Sequence, residues 1–114
     1  METHISASHQ RNGSLLTVTV AGEVDLMTGP VVDEAITTAV AADGVTAIEV
    51  DLSGVEFLDS SGIALLLRGR RRADARGLTY RVTGARGIVL QVLQLSGVWP
   101  HLCGDSVDNP SPAT

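Results

Sequence analysis

Residues 48–62, "IEVDLSGVEFLDSSG", decide how this chain is read. The segment 45–52, "VTAIEVDL", is rich in β-branched residues and short enough for a central strand. Residues 63–76, "IALLLRGRRRADAR", are helix-like, so a helix is expected from about Gly62 to Arg76, with Gly77 as its stop. Asp59, Ser60 and Ser61 therefore stand where a buried strand hands over to a helix.

The flanking segments extend this pattern. Upstream, "SLLTVTVAGEVD" alternates, with Leu16, Val18 and Val20 on one face of a half-buried strand. Before it, "RNG" is a hairpin signal: a turn at Asn12-Gly13 places an antiparallel first strand around Ile5 to His9. Gly29-Pro30 opens a helix in which Val32, Ile36, Ala39 and Val40 form the apolar stripe, Asp33 and Glu34 complement the positive end, and Gly44 ends the run. Downstream, "LTYRVT" predicts another strand and "RGIVLQVLQLSG" a third helix ending at Gly97.

The order is strand, strand, helix, strand, helix, strand, helix. Alternation in the second half implies parallel crossovers, and the opening hairpin adds an antiparallel pair. The expected fold is a single α/β domain: a mixed sheet with an N-terminal hairpin and three to four helices packed mainly on one face. Residues 1–104 are assigned to it and 105–114, "DSVDNPSPAT", to a frayed tail with little to bury.

Composition narrows the function. The 114 residues are 44% hydrophobic, enough for one core, and 8 Lys plus Arg against 13 Asp plus Glu leave a net charge of −5. An acidic chain with one Trp, one Tyr and one Phe is poorly suited to direct nucleic-acid or anionic-membrane binding. A protein partner fits better. Cys103 is the lone cysteine, which precludes an internal disulfide and suits a reducing compartment, and no export signal or membrane span is read; the cytoplasm is the expected location. His4, His9 and His101 are scattered and Cys103 has no partner at metal-ligand spacing except His101 two residues away, so neither metal nor cofactor is expected. The strand-to-helix elbow of serine hydrolases, G-x-S-x-G, is absent, and "GARG" at 84–87 lacks the P-loop lysine and reads as a turn, so no enzyme is expected.

At about 100° per residue, Ile63, Leu66, Leu67 and Ala73 share the sheet-facing stripe of the second helix, and Ser61, Leu65, Arg68 and Arg72 lie opposite. Arg70 falls in the apolar stripe, with its stem expected to snorkel to the edge. Two compatible readings suit the serines: helix capping, in which Asp59, Ser60 or Ser61 accepts from an orphaned N–H, and a modifiable hydroxyl at a helix end that tolerates phosphate. Arg68, Arg70, Arg71 and Arg72 read either as a solvated helix face or, for Arg68 and Arg72, as contacts for acidic groups on a partner. Trp99-Pro100 reads as a helix stop and a lid on the core, or as an extension of an interface.

"VDLSGVEFLDSSGIALLL", with "VAGEVDLMTGP" before it and "GIVLQVLQLSGV" after it, resembles the STAS domain, in its anti-sigma factor antagonist branch, over roughly residues 5–102. The resemblance implies a partner-switching protein. Unmodified, such a domain binds an anti-sigma factor that is also a serine kinase, freeing the sigma factor and so regulating transcription. The kinase, which binds the ATP and Mg, phosphorylates the serine beside the glycine, here Ser61 with Ser60 as the alternative, and a serine phosphatase reverses the step. Asp59 matches the motif's acidic residue and Asp25 an acidic position near the modified serine. The expected partner-binding set is Asp25, Asp59, Ser60, Gly62, Leu65, Arg68 and Arg72. The alternative is a STAS scaffold or ligand-sensing module in a larger signalling assembly, with Ser61 only a cap.

Overall fold

The computed structural model describes residues 4–102. Cys103 and the expected tail at 105–114 lie outside the described residues. Four strands, β1 (Ile5–Asn12), β2 (Leu15–Val24), β3 (Ala47–Leu58) and β4 (Thr79–Thr83), form one sheet in the order β1-β2-β3-β4. β1 and β2 are antiparallel, whereas β2, β3 and β4 run parallel. The helices are α1 (Gly29–Ala41), α2 (Ser60–Ala75), α3 (Gly87–Leu95) and the short α4 (Trp99–Leu102). This is the expected mixed α/β sheet with its N-terminal hairpin.

Alternation puts Leu16, Val18, Val20, Ile48, Val50, Tyr80 and Val82 in the core, against Val32, Ile36 and Ala39 of α1 and Leu66 and Ala73 of α2. Their alternates Thr17, Thr19, Glu49 and Arg81 lie on the other, more polar face, where Thr83 Oγ1 donates to Glu49 at 2.7 Å. Both parallel crossovers, β2-α1-β3 and β3-α2-β4, step the same way along the sheet. Right-handed connections then lay α1 and α2 side by side on one face.

Several local expectations are corrected. The hairpin turns one residue later, at Gly13-Ser14, because Asn12 pairs with Leu15 and the positive φ of 66° falls on Gly13. α1 ends at Ala41, and Gly44, at φ 77°, shapes the turn that follows rather than the cap. Pro100 does not simply stop a helix; it lies within α4, where Trp99 packs half-buried on the core.

Strand β3 also departs from simple alternation. Between Thr19↔Asp51 and Ala21↔Gly54, and again between Gly22↔Val55 and Glu23↔Phe57, β3 carries one residue more than β2. These two bulges bend the strand and change its burial period from two to three, which keeps Leu52, Val55 and Leu58 all buried. At Gly54 the strands approach so closely that an added Cβ would lie 2.9 Å from the Ala21 Cβ. The bent end of β3 delivers Asp59 beside the end of β2, where its N–H donates to Val24 O at 3.3 Å.

Candidate functional site

Asp59 is the N-cap of α2, with an extended backbone at φ −109°, ψ −169°. Its Oδ1 accepts from the Ser61 N–H at 2.9 Å, the Gly62 N–H at 3.2 Å and the Ser61 hydroxyl at 2.5 Å. Capping thus falls to Asp59, and Ser61 contributes a donor. The Ser61 hydroxyl is the largest influence on Asp59 and lowers its pKa; partial burial opposes it, and the N–H groups of Gly62 and Ser61 reinforce it. Asp59 is therefore held ionised, and its bond orients the Ser61 oxygen at the first turn of α2. Ser61 is half-buried and Ser60 exposed.

The turn between β2 and α1 meets this junction. Asp25 Oδ1 accepts from the N–H groups of Met27 (2.9 Å) and Thr28 (3.0 Å) and from Thr28 Oγ1 (3.2 Å). Thr28, a buried polar residue, donates its hydroxyl to Glu23 O at 2.7 Å and accepts from the Asp25 N–H at 2.9 Å. These bonds fold residues 25–28 into a rigid turn that pushes Leu26 and Met27 outward, 76% and 82% exposed. Exposed apolar side chains fixed on a hydrogen-bonded turn are suited to burial against another surface.

Between this turn, α1 and the start of α2 lies a cavity of about 220 Å³, lined by Asp25, Leu26, Gly29, Pro30, Asp33, Ser61, Leu65 and Arg68. It brings together Asp25, Ser61, Leu65 and Arg68, which are far apart in sequence. Asp33 was not expected here. Instead of serving the start of α1, its Oδ1 binds Arg72 Nη1 at 2.9 Å and lies 3.8 Å from Arg68 Nη2. Arg72 also donates to Thr37 Oγ1 at 3.0 Å. The two arginines expected to face a partner are thus already engaged within the chain.

Two further site expectations change. Leu65 is only 2% exposed, because α1 covers the flank of α2 that a single sheet contact would leave open; an atom at the Cβ position of Gly29 would lie 3.2 Å from the Leu65 side chain. Gly62 is buried as well, and a Cβ there would lie 2.8 Å from Leu58 Cγ and 3.1 Å from Val24 Cγ1. Its absent side chain lets α2 start directly over the sheet. Arg70, by contrast, does reach the edge: Nε donates to Asp74 at 3.2 Å and Nη1 to His101 O at 2.6 Å. Of the "GARG" glycines, Gly84 lies in the connection after β4, where at φ 77° an added Cβ would sit 2.6 Å from Asp51 Oδ1, and Gly87 opens α3.

Sequence reading missed Asp33, Thr28, Leu26 and Met27. The adjacent apolar pair 26–27 between Asp25 and Gly29-Pro30 was a visible signal for an exposed turn. Nothing local pairs Asp33 with an arginine 39 residues away. No described helix is long and apolar enough to cross a membrane.

Fold and site define a small α/β binding domain with an oriented hydroxyl beside a rigid, partly apolar turn. A family model described as "Mlab, STAS domain" matches residues 7–99. An anti-sigma factor antagonist from Mycobacterium paratuberculosis has a similar crystal structure, with a TM-score of 0.77, 30% identity, and coverage of 87% of this chain and 83% of that one. The anti-sigma-F factor antagonist RsfB of Mycobacterium tuberculosis (strain CDC 1551 / Oshkosh) is 47% identical over 49 residues, a stretch of 43% of this chain and 39% of that relative's length. The phosphorylated form of the Bacillus cell fate determinant SpoIIAA shares the fold, with a TM-score of 0.63, 23% identity, and coverage of 90% of this chain and 97% of that one. The chain belongs to the STAS domain family, among its anti-sigma factor antagonists.

Proposed function

We propose that this chain is a cytoplasmic, non-enzymatic anti-sigma factor antagonist that is switched by phosphorylation of Ser61. Unmodified, it binds an anti-sigma factor that is a serine kinase, and the sigma factor is released to direct transcription. The kinase supplies ATP and Mg. The Ser61 oxygen attacks the γ-phosphorus, the bond from that phosphorus to the β-phosphate oxygen breaks, ADP leaves with the electron pair, and the hydroxyl proton is released to water. A serine phosphatase hydrolyses the phosphoester to reset the switch. Neither nucleic acid nor membrane takes part in binding.

The observation that carries this reading is the Ser61 hydroxyl held 2.5 Å from the ionised Asp59 at the first turn of α2, beside the cavity. That bond directs an oxygen lone pair away from the carboxylate, and the helix start accommodates the added charge. Leu26 and Met27 supply apolar area for the docked kinase, and Asp25 holds their turn in shape. Once Ser61 carries about −1.5 to −2 charges, burying this surface requires desolvating a phosphate beside Asp59 and Asp25, and the kinase dissociates. Incubation with a candidate kinase and Mg-ATP, followed by intact and fragment mass spectra and by titration of both phosphoforms, tests the reading. One phosphate on Ser61 and a large loss of affinity are expected. Phosphate on Ser60 alone, or equal affinity of the two forms, would refute it.

A further inference from the structure

Arg68 and Arg72 approach the same oxygen of Asp33 unequally. Arg72 is 2.9 Å away and also bonds Thr37, whereas Arg68 is 3.8 Å away, beyond hydrogen-bond distance. Among the described residues, Asp33 is the only ion-pair partner of Arg68, whose side chain is 44% exposed. Releasing Arg68 would leave Asp33 paired. Arg68 is also the sole cation among the residues lining the cavity that contains Ser61. The two residues are seven apart on α2, about 10.5 Å along the axis and almost in line on one face. Helical side chains lean toward the N-terminus, so Arg68 lies over the turn nearer Ser61.

We propose that phosphorylation of Ser61 draws Arg68 off Asp33 and onto the phosphate across the cavity, so that the chain itself clamps its modified residue. The inference rests on the Ser61 reading above and adds an intramolecular receptor for the phosphate. The charged groups facing that position are Asp25 from the β2–α1 turn, Asp33 from α1, Asp59 at the N-cap and Arg68 from α2. The three carboxylates repel the phosphate. Asp25 and Asp59 are committed to backbone N–H groups, which leaves Arg68 as the group able to move toward it. A guanidinium can meet two phosphate oxygens at once, which Asp33 at 3.8 Å does not provide. The phosphorylated surface would then be less negative than the count of its charges implies.

The full chain with phosphoserine incorporated at position 61 during synthesis tests this without any kinase. Its second phosphate ionisation, followed by 31P NMR against pH, is compared with the same phosphorylated chain carrying Arg68→Gln or Arg71→Gln. The two substitutions remove equal charge from one helix, but Arg71 is exposed and outside the cavity lining. A contact of one charge pair at about 4 Å in aqueous surroundings corresponds to a midpoint about half a unit to one unit lower. Arg68→Gln should abolish that depression, Arg71→Gln should leave it, and the Arg68 Nε–H resonance should shift on phosphorylation. Equal midpoints in the native and Arg68→Gln phosphoforms, or equal effects of the two substitutions, would overturn the clamp. Failure of every kinase to modify the native chain would refute the function above but leave this titration decisive.

Discussion

Gly69→Ala puts opposing effects of known size at one buried position. Alanine in a helix interior is favoured over glycine by about 1 kcal/mol, so an exposed position would gain stability. At Gly69 the new Cβ would lie 2.7 Å from Tyr80 Oη, 2.9 Å from Ile36 Cγ2 and 3.1 Å from Tyr80 Cζ. Ile36 and Tyr80 are both core residues, from α1 and β4, so neither can swing into solvent. Overpacking of this kind costs about 1–3 kcal/mol. The clash also pushes on a buried hydrogen bond, Tyr80 Oη to Leu66 O at 2.9 Å, worth about 0.5–1.5 kcal/mol. Burial drives the Tyr80 pKa upward, so the phenol stays protonated and donates. The expected net loss is about 1–3 kcal/mol, or about 5–15 °C in melting temperature. Thermal and urea unfolding, followed by far-UV circular dichroism and the lone Trp99, measure it. Tyr80→Phe removes the nearest clashing atom, so in that background Gly69→Ala should cost about 0.5–1.5 kcal/mol less. A native-like or raised melting temperature for Gly69→Ala, or strict additivity in the cycle, would refute the packing argument.

Asp59→Ala removes three hydrogen bonds and should cost about 1–2 kcal/mol, whereas Asp59→Asn keeps the cap and loses only its charge, about 0.3–1 kcal/mol. Because the folded-state pKa of Asp59 is lowered, its ionised contribution is complete above the unfolded value of about 3.9 and disappears as pH falls through the folded value. The melting difference between native and Asp59→Asn proteins should therefore be present at neutral pH and shrink on acidification; a difference that grew instead would contradict this. Ser61→Ala should leave the cap intact, cost no more than about 1.5 kcal/mol and block phosphate incorporation, as read by unfolding curves and intact mass. Thr28→Val preserves shape but strands Glu23 O and the Asp25 N–H, for a loss of about 1–3 kcal/mol in urea unfolding, with weaker kinase binding from a loosened Leu26–Met27 turn.

What the sequence by itself determined was local. Alternation at Leu16, Val18 and Val20, the Gly29-Pro30 helix start and the strand-to-helix passage through Asp59 each depend on residues a few positions apart. Order of elements followed, and with it the mixed sheet. The same locality placed Asp59, Ser60 and Ser61 at the start of a helix, whereas the preference for Ser61 over Ser60 came from the family resemblance and not from spacing. Tertiary structure decided whatever required two elements to meet. A helical wheel with a single apolar contact puts Leu65 outside, yet α2 packs on both the sheet and α1, so its buried arc is wider and Leu65 lies within it. Register between β2 and β3 placed the two bulges, because a bulge exists only relative to a partner strand. The Asp33 pairs with Arg68 and Arg72 arose likewise, from two crossovers that lay α1 beside α2. Short-range chemistry is set by the spacing of neighbouring residues; the cavity and its charges are set by docking between segments whose separation along the chain carries no record of their distance in space.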